Sequence, residues 1–529
     1  MNDFSKTWDK TKLLYSNWLI STDLKNQFFK KIKFENLSLW WVSNLVEKDN
    51  INSSNDWYSN LNHKLNGFDI VVHSNYFLFL KLIKKFISSI LFHFFFKIIF
   101  KTKFDNNKKN PRLYCFHTRQ INLQEHKRHL VDRQYGNASF KHVAESCYLL
   151  QLENDVKILF NPFSFKKKLN KIPCKHYILN NFISVSDIIV VYSKTFLLLI
   201  KTLIILSKKN YFIINKINCS VILRSFLLDS FFGKIQDQLI YGIATRNFLK
   251  KYKYKNYLNY LEFYPFSRAF YYFIKNQESP PKVITINHAN FSKKNLFFSF
   301  QKKEFSKKNF LVNYSDKPDV YFTQGYKYLN FLKKTIPSLR VYPLGSLKIE
   351  LNDLLLNKNL NKDKINLFKK KISNKKVISI WPGIGESQIF ISMLNRCNLD
   401  NFYIILKAHP VSKMQIVNEF KKNFKYNFFI EDNFNNAELA YISDFVLTGY
   451  SSVALEIQMF KNNVIRIYDE EFPPLFDDND GILVVNSNIL LQKYLDSKIS
   501  LKKSNKINIE KSFFYKYDKN CSNRLFRII

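Results

Sequence analysis

The sequence is poor in acidic residues and contains no closely spaced pair of cysteines. Its six cysteines lie at positions 115, 147, 174, 219, 397 and 521, so there is no C-x-x-C motif. This scatter excludes a zinc ribbon and a disulfide framework, and it predicts a protein of a reducing compartment. No internal repeat or low-complexity tract is evident either, beyond a bias towards Lys and Asn.

Basic side chains outnumber acidic ones, with 82 Lys and Arg against 42 Asp and Glu and a formal net charge of +40. A chain this basic is attracted to anionic lipid, nucleic acid or phosphorylated substrates. No compact arginine-rich arm and no nucleic-acid motif is present, so we expect no nucleic-acid partner. The first 20 residues lack the uninterrupted apolar core of a signal peptide, and we expect a cytoplasmic protein.

Two strongly apolar segments, residues 76–103 and 188–206, raise the question of membrane contact. Lysines interrupt both of them at Lys81, Lys84, Lys85, Lys194 and Lys201. The longest charge-free stretch of the first, residues 86–96, is shorter than the roughly 20 residues that cross a bilayer. Apolar helices edged with Lys are typical of segments in the headgroup plane of anionic membranes, and burial in the core is the alternative. We expect peripheral attachment at the inner face of the cytoplasmic membrane.

The 529 residues are too many for a single core, and the C-terminal part shows a clear α/β rhythm. Short apolar runs predict strands at 377–381, 402–407, 427–430, 444–447 and 464–468. Amphipathic stretches between them predict helices at 387–396, 412–423, 436–442 and 452–460. This alternation predicts a parallel sheet in a Rossmann-like domain over residues 377–529, with a ligand site beyond the C-terminal strand ends.

A looser alternation precedes this domain. Apolar runs at 283–286, 320–322 and 340–343 predict the last strands of a first α/β domain over residues 1–350. The segment 351–376 is rich in Lys, Asn and Leu, which indicates a linker with a surface helix.

Polar residues that could hold a phosphate follow three predicted strands of the second domain. Gly383, Gly385 and Glu386 form a glycine-containing turn after the first strand, where backbone amides can approach an anion. Lys407, His409 and Pro410 end the second strand and bring a cation and an imidazole to one edge. Each motif alone is compatible with a purely structural role.

A serine pair opens the helix after the fourth strand of this domain. Thr448, Ser451 and Ser452 could cap that helix and offer hydroxyls and amides to a phosphate. Glu456 lies one turn deeper on the same face and could accept hydrogen bonds from a ribose or base. An ordinary N-cap with a solvated Glu is the alternative.

These motifs, in this order, resemble the nucleotide-binding domain of GT-B glycosyltransferases, especially the bacterial sialyl-, polysialyl- and Kdo-transferases with His-Pro and Ser-Ser motifs. The resemblance implies that His409, Ser451 and Ser452 contact the phosphate of the donor and that Gly383 and Gly385 support it. It also implies two Rossmann-like domains facing a cleft, a nucleotide-sugar donor that could be CMP-linked, and catalysis without a metal or cofactor. The acidic run at 477–480 lies in a loop after two prolines, which is typical of a solvated turn.

The first half is similar to an uncharacterised family of surface carbohydrate biosynthesis proteins. The similarity runs through LSLWWVS at 37–43, Glu47-Lys48, EFYPFSR at 262–268 and Asn287-His288. That family often has Trp-Glu where this chain has Phe266-Ser267, so a second carboxylate is missing. We therefore expect Glu262 or His288, together with His409, to act in catalysis, since transfer needs a base for the acceptor hydroxyl.

The sequence predicts a glycosyltransferase acting on a surface polysaccharide or a lipid-linked glycan. Transfer of a polyol phosphate from a CDP-linked donor, as in teichoic-acid polymerases, is an alternative on the same fold. A non-catalytic scaffold that binds sugar nucleotides is another, favoured by the missing carboxylate at Ser267. A nucleic-acid binder would rest on charge alone.

Overall fold

The architecture comes from a computed structural model of the chain. It describes residues 28–43, 64, 76–100, 112–126, 128–152, 157–208, 211–214, 216–288, 317–351, 360–372, 375–383, 385–409, 412–430, 434–449, 451, 453–460, 463–468, 482–496, 509–516, 518 and 520–529.

The first domain is built on a seven-stranded parallel sheet. Its strands are β1 (Arg112–Arg119), β2 (Ser146–Gln151), β3 (Lys175–Ile178), β4 (Tyr254–Asn259), β5 (Lys282–Ile286), β6 (Val320–Thr323) and β7 (Arg340–Pro343). They lie in the order β7-β6-β5-β4-β1-β2-β3, and every neighbouring pair is parallel. The order reverses between β1 and β4, so this is a Rossmann-like sheet whose topological switch point lies between those strands.

The second domain is built on a six-stranded parallel sheet. Its strands are β8 (Lys376–Trp381), β9 (Phe402–Leu406), β10 (Phe429–Ile430), β11 (Phe445–Thr448), β12 (Val464–Ile467) and β13 (Leu483–Val485). They lie in the order β10-β9-β8-β11-β12-β13, again parallel throughout. In chain order this is 3-2-1-4-5-6, the doubly wound pattern of dinucleotide-binding domains. The predicted class, α/β with two Rossmann-like domains, is confirmed.

Helices cover these sheets because their apolar faces need a partner. Those of seven residues or more are α1 (Tyr76–Ile99), α2 (Pro162–Leu169), α3 (Val185–Lys208), α4 (Ser220–Gly233), α5 (Ile235–Lys251), α6 (Pro265–Lys275), α7 (Tyr326–Thr335), α8 (Lys362–Lys371), α9 (Ser387–Leu394), α10 (Lys413–Asn423), α11 (Asn436–Ile442), α12 (Val453–Phe460), α13 (Asn488–Leu495) and α14 (Cys521–Ile528). Shorter helical turns include Leu39–Val42 and Lys348–Leu351.

Short antiparallel hairpins interrupt the α/β rhythm of the first domain. The strand pairs are Leu123–His126 with His129–Asp132, Lys33–Phe34 with Leu37–Ser38, and Ile213–Ile214 with Ile217–Asn218. The first of these follows β1 directly, so it extends the carboxyl edge of the sheet next to the switch point.

The two apolar segments form the long helices α1 and α3, which pack against each other. By length and composition, α3 is the one helix among the described residues that could cross a membrane. Its inner face also packs on α4 and α5, and Phe86 of α1 contacts Tyr192 of α3. The helix pair is therefore attached to the first domain along its length.

The chain returns to the first domain at its C-terminus. Ser522 of α14 donates from its backbone N–H to Glu350 at 2.6 Å, and Arg524 Nε donates to the carbonyl oxygen of Leu344 at 2.9 Å. The ring of Phe526 packs on Tyr114 of β1. The predicted limits of the domains, 1–350 and 377–529 with a linker at 351–376, stay a prediction.

Candidate functional site

Glu262 lies at the switch point of the first sheet, in the turn between β4 and α6. Its backbone is in the left-handed region, with φ at 55°, which is uncommon for a residue other than glycine. The Tyr271 hydroxyl donates to the Glu262 carbonyl oxygen at 2.6 Å and holds this conformation. Residues held in such conformations cluster at functional sites, because the surrounding structure must offset the strain.

The Glu262 carboxylate is paired with His288, which follows β5. Glu262 Oε1 accepts from the backbone N–H of His288 at 3.0 Å and from Asn287 Nδ2 at 2.8 Å. His288 Nδ1 lies 2.9 Å from the same oxygen. The backbone N–H of His288 and the side-chain amide of Asn287 can only donate, so this oxygen carries no proton. His288 Nδ1 therefore carries the proton and donates it to the oxygen. The tautomer assigned by these bonds leaves the lone pair on Nε2.

The two members of this pair differ in exposure. The Glu262 side chain is 3% exposed and that of His288 is 28% exposed. Glu262 is therefore the buried member of the pair, and His288 is the accessible one.

A buried carboxyl, Asp132, lies on the other side of this edge. The Tyr260 hydroxyl donates to Asp132 Oδ2 at 2.9 Å, and the Thr118 hydroxyl donates to the same oxygen. Burial raises the pKa of Asp132 to about 7, while the hydrogen bonds from Thr118, Gln134 and Tyr260 oppose that rise. The centroid of the Tyr260 ring also lies 6.0 Å from that of the His288 ring. Tyr260 therefore lies between Asp132 and the Glu262–His288 pair.

Ser267, which stands where the similar family has Glu, is buried inside the Glu262 turn. Its hydroxyl donates to the Leu261 carbonyl oxygen at 2.5 Å. The next residue, Arg268, is also buried, with its guanidinium over the rings of Trp41 and Phe263 at 4.6 and 4.8 Å. The 37–43 and 262–268 blocks thus pack together and fix the turn, whereas Glu47 and Lys48 lie outside the described residues.

In the second domain Glu386 connects two loops at the switch point between β8 and β11. Its carboxylate accepts from the Gly383 backbone N–H at 2.5 Å, and the residue is 3% exposed. A β-carbon at Gly449 would overlap this carboxylate, so a larger residue there would have to displace the Glu386 side chain. Gly385, with φ at 79°, completes the turn. Glu386 is thus buried within the turn that is predicted to contact the donor.

His409 and Lys407 follow β9 and are half-buried. Burial lowers the pKa of His409, and the positive charge of Arg133 lowers it further. Arg133 follows Asp132 in the first domain, so its charge acts on His409 from the other domain. Pro410 lies outside the described residues.

The serine motif lies at the start of α12. Ser451 is half-buried, and its hydroxyl accepts from the backbone N–H of Val453 at 3.4 Å. The Thr448 hydroxyl is buried without a hydrogen-bond partner in the part of the chain that the structure describes. Ser452 and residues 477–480 lie outside that part.

Glu456 connects the domains through an ion pair with Lys348. Lys348 belongs to the helical turn after β7, and Glu456 lies in the first turn of α12. Glu456, predicted to bind the ribose or base, thus contacts the first domain.

Sequence reasoning missed Asp132, Arg133, Tyr260 and Lys348. Each is an isolated polar residue in a chain rich in Lys and Tyr, and no motif marks it. The sequence also did not predict β4, which precedes Tyr260, or the hairpin whose second strand ends at Asp132. Among the described residues, no group of three or more His, Cys, Asp and Glu is placed to hold a metal ion.

Comparisons with known proteins give fold-level similarities only. No family model and no curated protein sequence matches the chain. The wall teichoic acid polymerase TagF is 12% identical with a TM-score of 0.44, covering 86% of this chain and 97% of its own. MnaA of S. aureus, solved with UDP, has a TM-score of 0.44 and 12% identity, covering 78% of this chain and 95% of its own. UDP-GlcNAc 2-epimerase from Neisseria meningitidis, bound to UDP-GlcNAc, has a TM-score of 0.41 and 14% identity, covering 78% of this chain and 98% of its own. The assignment of the fold rests on the strand orders described above.

Proposed function

We propose that this protein is a glycosyltransferase that moves a sugar from a nucleotide-activated donor to a surface polysaccharide or a lipid-linked glycan. The Glu262–His288 pair carries the proposal, because it places an oriented imidazole at the switch point of one Rossmann-like sheet. The phosphate-binding candidates Lys407, His409 and Ser451 lie at the carboxyl edge of the other.

In this reaction His288 Nε2 takes the proton of the acceptor hydroxyl as its oxygen attacks the sugar carbon that bears the nucleotide. The bond from that carbon to the phosphate oxygen breaks, and the nucleotide leaves with the negative charge. Lys407, His409 and Ser451 stabilise that charge. Glu262 does not touch substrate; it acts as a positioning residue that fixes the tautomer of His288.

Nucleotide binding and transfer can be tested separately. Thermal-shift assays with CMP, CDP, UDP and GDP should show stabilisation by one of them, reduced in His409→Ala and Ser451→Ala and unchanged in the exposed His129→Ala control. His288→Ala should keep nucleotide binding and lose about 10²- to 10⁴-fold in transfer rate, the usual contribution of a general base.

Glu262→Gln tests the role of the carboxylate charge, because the amide oxygen can accept the same hydrogen bonds but no longer stabilises the imidazolium that forms during transfer. We expect a large loss of kcat with unchanged nucleotide affinity. Absence of any nucleotide-induced shift in the wild-type protein would overturn the transferase proposal. We also expect transfer to persist in EDTA, and rescue of an EDTA-inhibited enzyme by Mg²⁺ or Mn²⁺ would contradict a metal-independent reaction.

A second candidate is transfer of a polyol phosphate from a CDP-linked donor. The observation that favours it is that histidines follow strands of both sheets, His288 in one and His409 in the other. In that reaction the acceptor oxygen attacks the phosphorus that bears the polyol, the bond from this phosphorus to the bridging oxygen breaks, CMP leaves, and the product carries a phosphodiester. Incubation with CDP-glycerol or with a CMP-sugar, followed by mass spectrometry of the acceptor, distinguishes the two.

The exposed face of α1 and α3 suggests where the protein meets its acceptor, and we propose that this face lies on an anionic membrane. Large apolar side chains are exposed along both helices: Phe79, Leu80, Ile83, Ile87, Leu91, Phe94, Phe95 and Ile98 on α1, and Ile189, Val190, Phe196, Leu197, Ile200 and Ile204 on α3. A contiguous apolar surface of this kind marks an interaction site.

The lysines of these helices fit a lipid surface. Lys201 Nζ donates to the Lys31 carbonyl oxygen at 3.0 Å, and Lys194 lies over the Phe34 ring, so both engage the protein. Lys81, Lys84 and Lys97 are exposed on α1, where they can contact anionic headgroups. The apolar stripe would enter the interface and the lysines would reach the phosphates.

Vesicle sedimentation tests this attachment. The wild-type protein should pellet with phosphatidylglycerol-containing vesicles, and the double variant Leu91→Glu/Leu197→Glu should lose at least about tenfold in binding, since each exposed apolar side chain contributes roughly 1 kcal/mol or more when buried. Leu367→Glu, an equally exposed leucine on α8, is the control. No vesicle binding together with self-association through this face would assign it to a second copy of the chain instead.

A further inference from the structure

The turn that follows the His129–Asp132 strand holds Arg133 at the switch point of the first sheet. The Arg133 backbone N–H donates to the Asn122 carbonyl oxygen at 3.1 Å. The preceding residue, Asp132, is fully buried and accepts hydrogen bonds from Tyr260 and Thr118. The backbone of Arg133 is thus fixed on both sides, while its side chain is exposed.

The same turn is fastened to the segment that contacts the second domain. Gly136 has a φ of 56°, and a β-carbon there would overlap the Leu347 carbonyl group. Asn137 Nδ2 donates to the Glu350 carbonyl oxygen at 3.4 Å. Lys348, between these two contacts, forms the ion pair with Glu456 of α12. The position of Arg133 relative to the second domain is therefore set by packing and not by its own side chain.

Through Lys348 and its ion pair with Glu456, the turn that carries Arg133 lies at the start of α12, where Ser451 of the predicted phosphate site is found. The charge of Arg133 also makes the imidazolium form of His409 less favourable. An exposed guanidinium beside an imidazole and Lys407 concentrates positive potential in one place, and such a place is suited to an anion. A guanidinium can also donate two parallel hydrogen bonds to one phosphate.

We propose that Arg133 binds the phosphate of the donor nucleotide from the first domain, opposite His409. The donor is then held by both domains, and the acceptor-side domain contributes directly to nucleotide affinity. This inference rests on the proposed function. It adds Arg133 as a phosphate-binding residue that no sequence motif indicates.

The test compares a nucleotide with its nucleoside, using calorimetric titration of CMP, CDP and UDP and of cytidine and uridine. Arg133→Gln should weaken the nucleotide that binds the wild-type protein by about 10- to 100-fold, the range for one charge-assisted hydrogen bond. Nucleoside binding should not change, and Arg133→Lys should recover part of the loss. Arg128→Gln, an exposed arginine in the same hairpin, should bind as the wild type does.

The two proposals fail in different ways. If the wild-type protein binds a nucleotide and Arg133→Gln binds it equally well, the role of Arg133 is overturned while the transferase remains. Equal loss of nucleotide and nucleoside binding would also overturn it, because that pattern indicates a distorted cleft. If the wild-type protein binds no nucleotide, both proposals fall.

Discussion

At the scale of single residues, the first domain is unusual in keeping a carboxyl, Asp132, fully buried beside the proposed base. Its folded-state pKa of about 7 lies above its ordinary value of 3.8. Between those values the folded protein holds a proton that the unfolded chain has released. Stability contributed by Asp132 is therefore present at low pH and is lost as pH rises through about 7.

Asp132→Asn should remove this pH dependence, because an amide stays neutral. A difference of one in pKa corresponds to about 1.4 kcal/mol, so the unfolding free energy of the variant relative to the wild type should rise by about 1–3 kcal/mol from pH 5 to pH 8. Urea unfolding at both pH values measures it, with the exposed Asp400→Asn as the control. A difference that does not vary with pH would show that Asp132 is ionised throughout.

The sequence could predict only some of the site residues, and the reason lies in their spacing. His409, Ser451 and the Gly383–Gly385 turn follow predicted strands, so their placement at one edge follows from parallel topology. Arg133 and Lys348 reach the cleft through a hairpin and a helical turn that no periodicity marks. Their positions depend on long-range packing, which a single sequence does not encode in any local pattern.

At the scale of elements, the loops after β8 and β11 are joined by the Glu386 carboxylate against Gly449. Gly449→Ala would push a methyl group into this carboxylate, and we expect a loss of about 1–3 kcal/mol in stability, as for overpacking of a core. Urea unfolding gives the loss. Adding Glu386→Ala should recover part of it, since the two groups compete for one space.

Simple additivity of Gly449→Ala and Glu386→Ala would contradict that arrangement. It would mean that the two loops tolerate the methyl group by moving apart.

Most elements of the second domain were predictable because its apolar runs are short and regularly spaced, whereas β13 and α13 were not predicted. The 436–442 helix is found with the predicted bounds, and the 387–396 helix ends two residues early at Leu394. In the first domain β1 has the sequence RLYCFHTR, in which polar residues break the apolar run. Its neighbours β2 and β4 are separated by the long apolar helices, which obscure the βα rhythm.

At the scale of the whole molecule, the Lys348–Glu456 ion pair joins the two domains. Both side chains are partly exposed, at 20% and 16%, so the pair should contribute less than about 1 kcal/mol to unfolding stability. Its loss should instead change how far the domains open. Lys348→Met should increase the radius of gyration in small-angle scattering of the nucleotide-free protein.

Lys364→Met is the matched control, because Lys364 pairs with Glu438 and both lie on helices that pack together beside the second sheet. Identical scattering from Lys348→Met and Lys364→Met would show that the ion pair does not hold the cleft.

The return of α14 to the first domain has a mechanical consequence. In chain order the polypeptide crosses to the second domain once, between Leu351 and α8, and returns to the first domain once, between α13 and α14. Two covalent connections allow the second domain to rotate about the line that joins them. They restrict its rotation about other axes. Opening and closing of this molecule should therefore follow one dominant path, and that path brings the edge with His409 towards and away from the edge with Arg133.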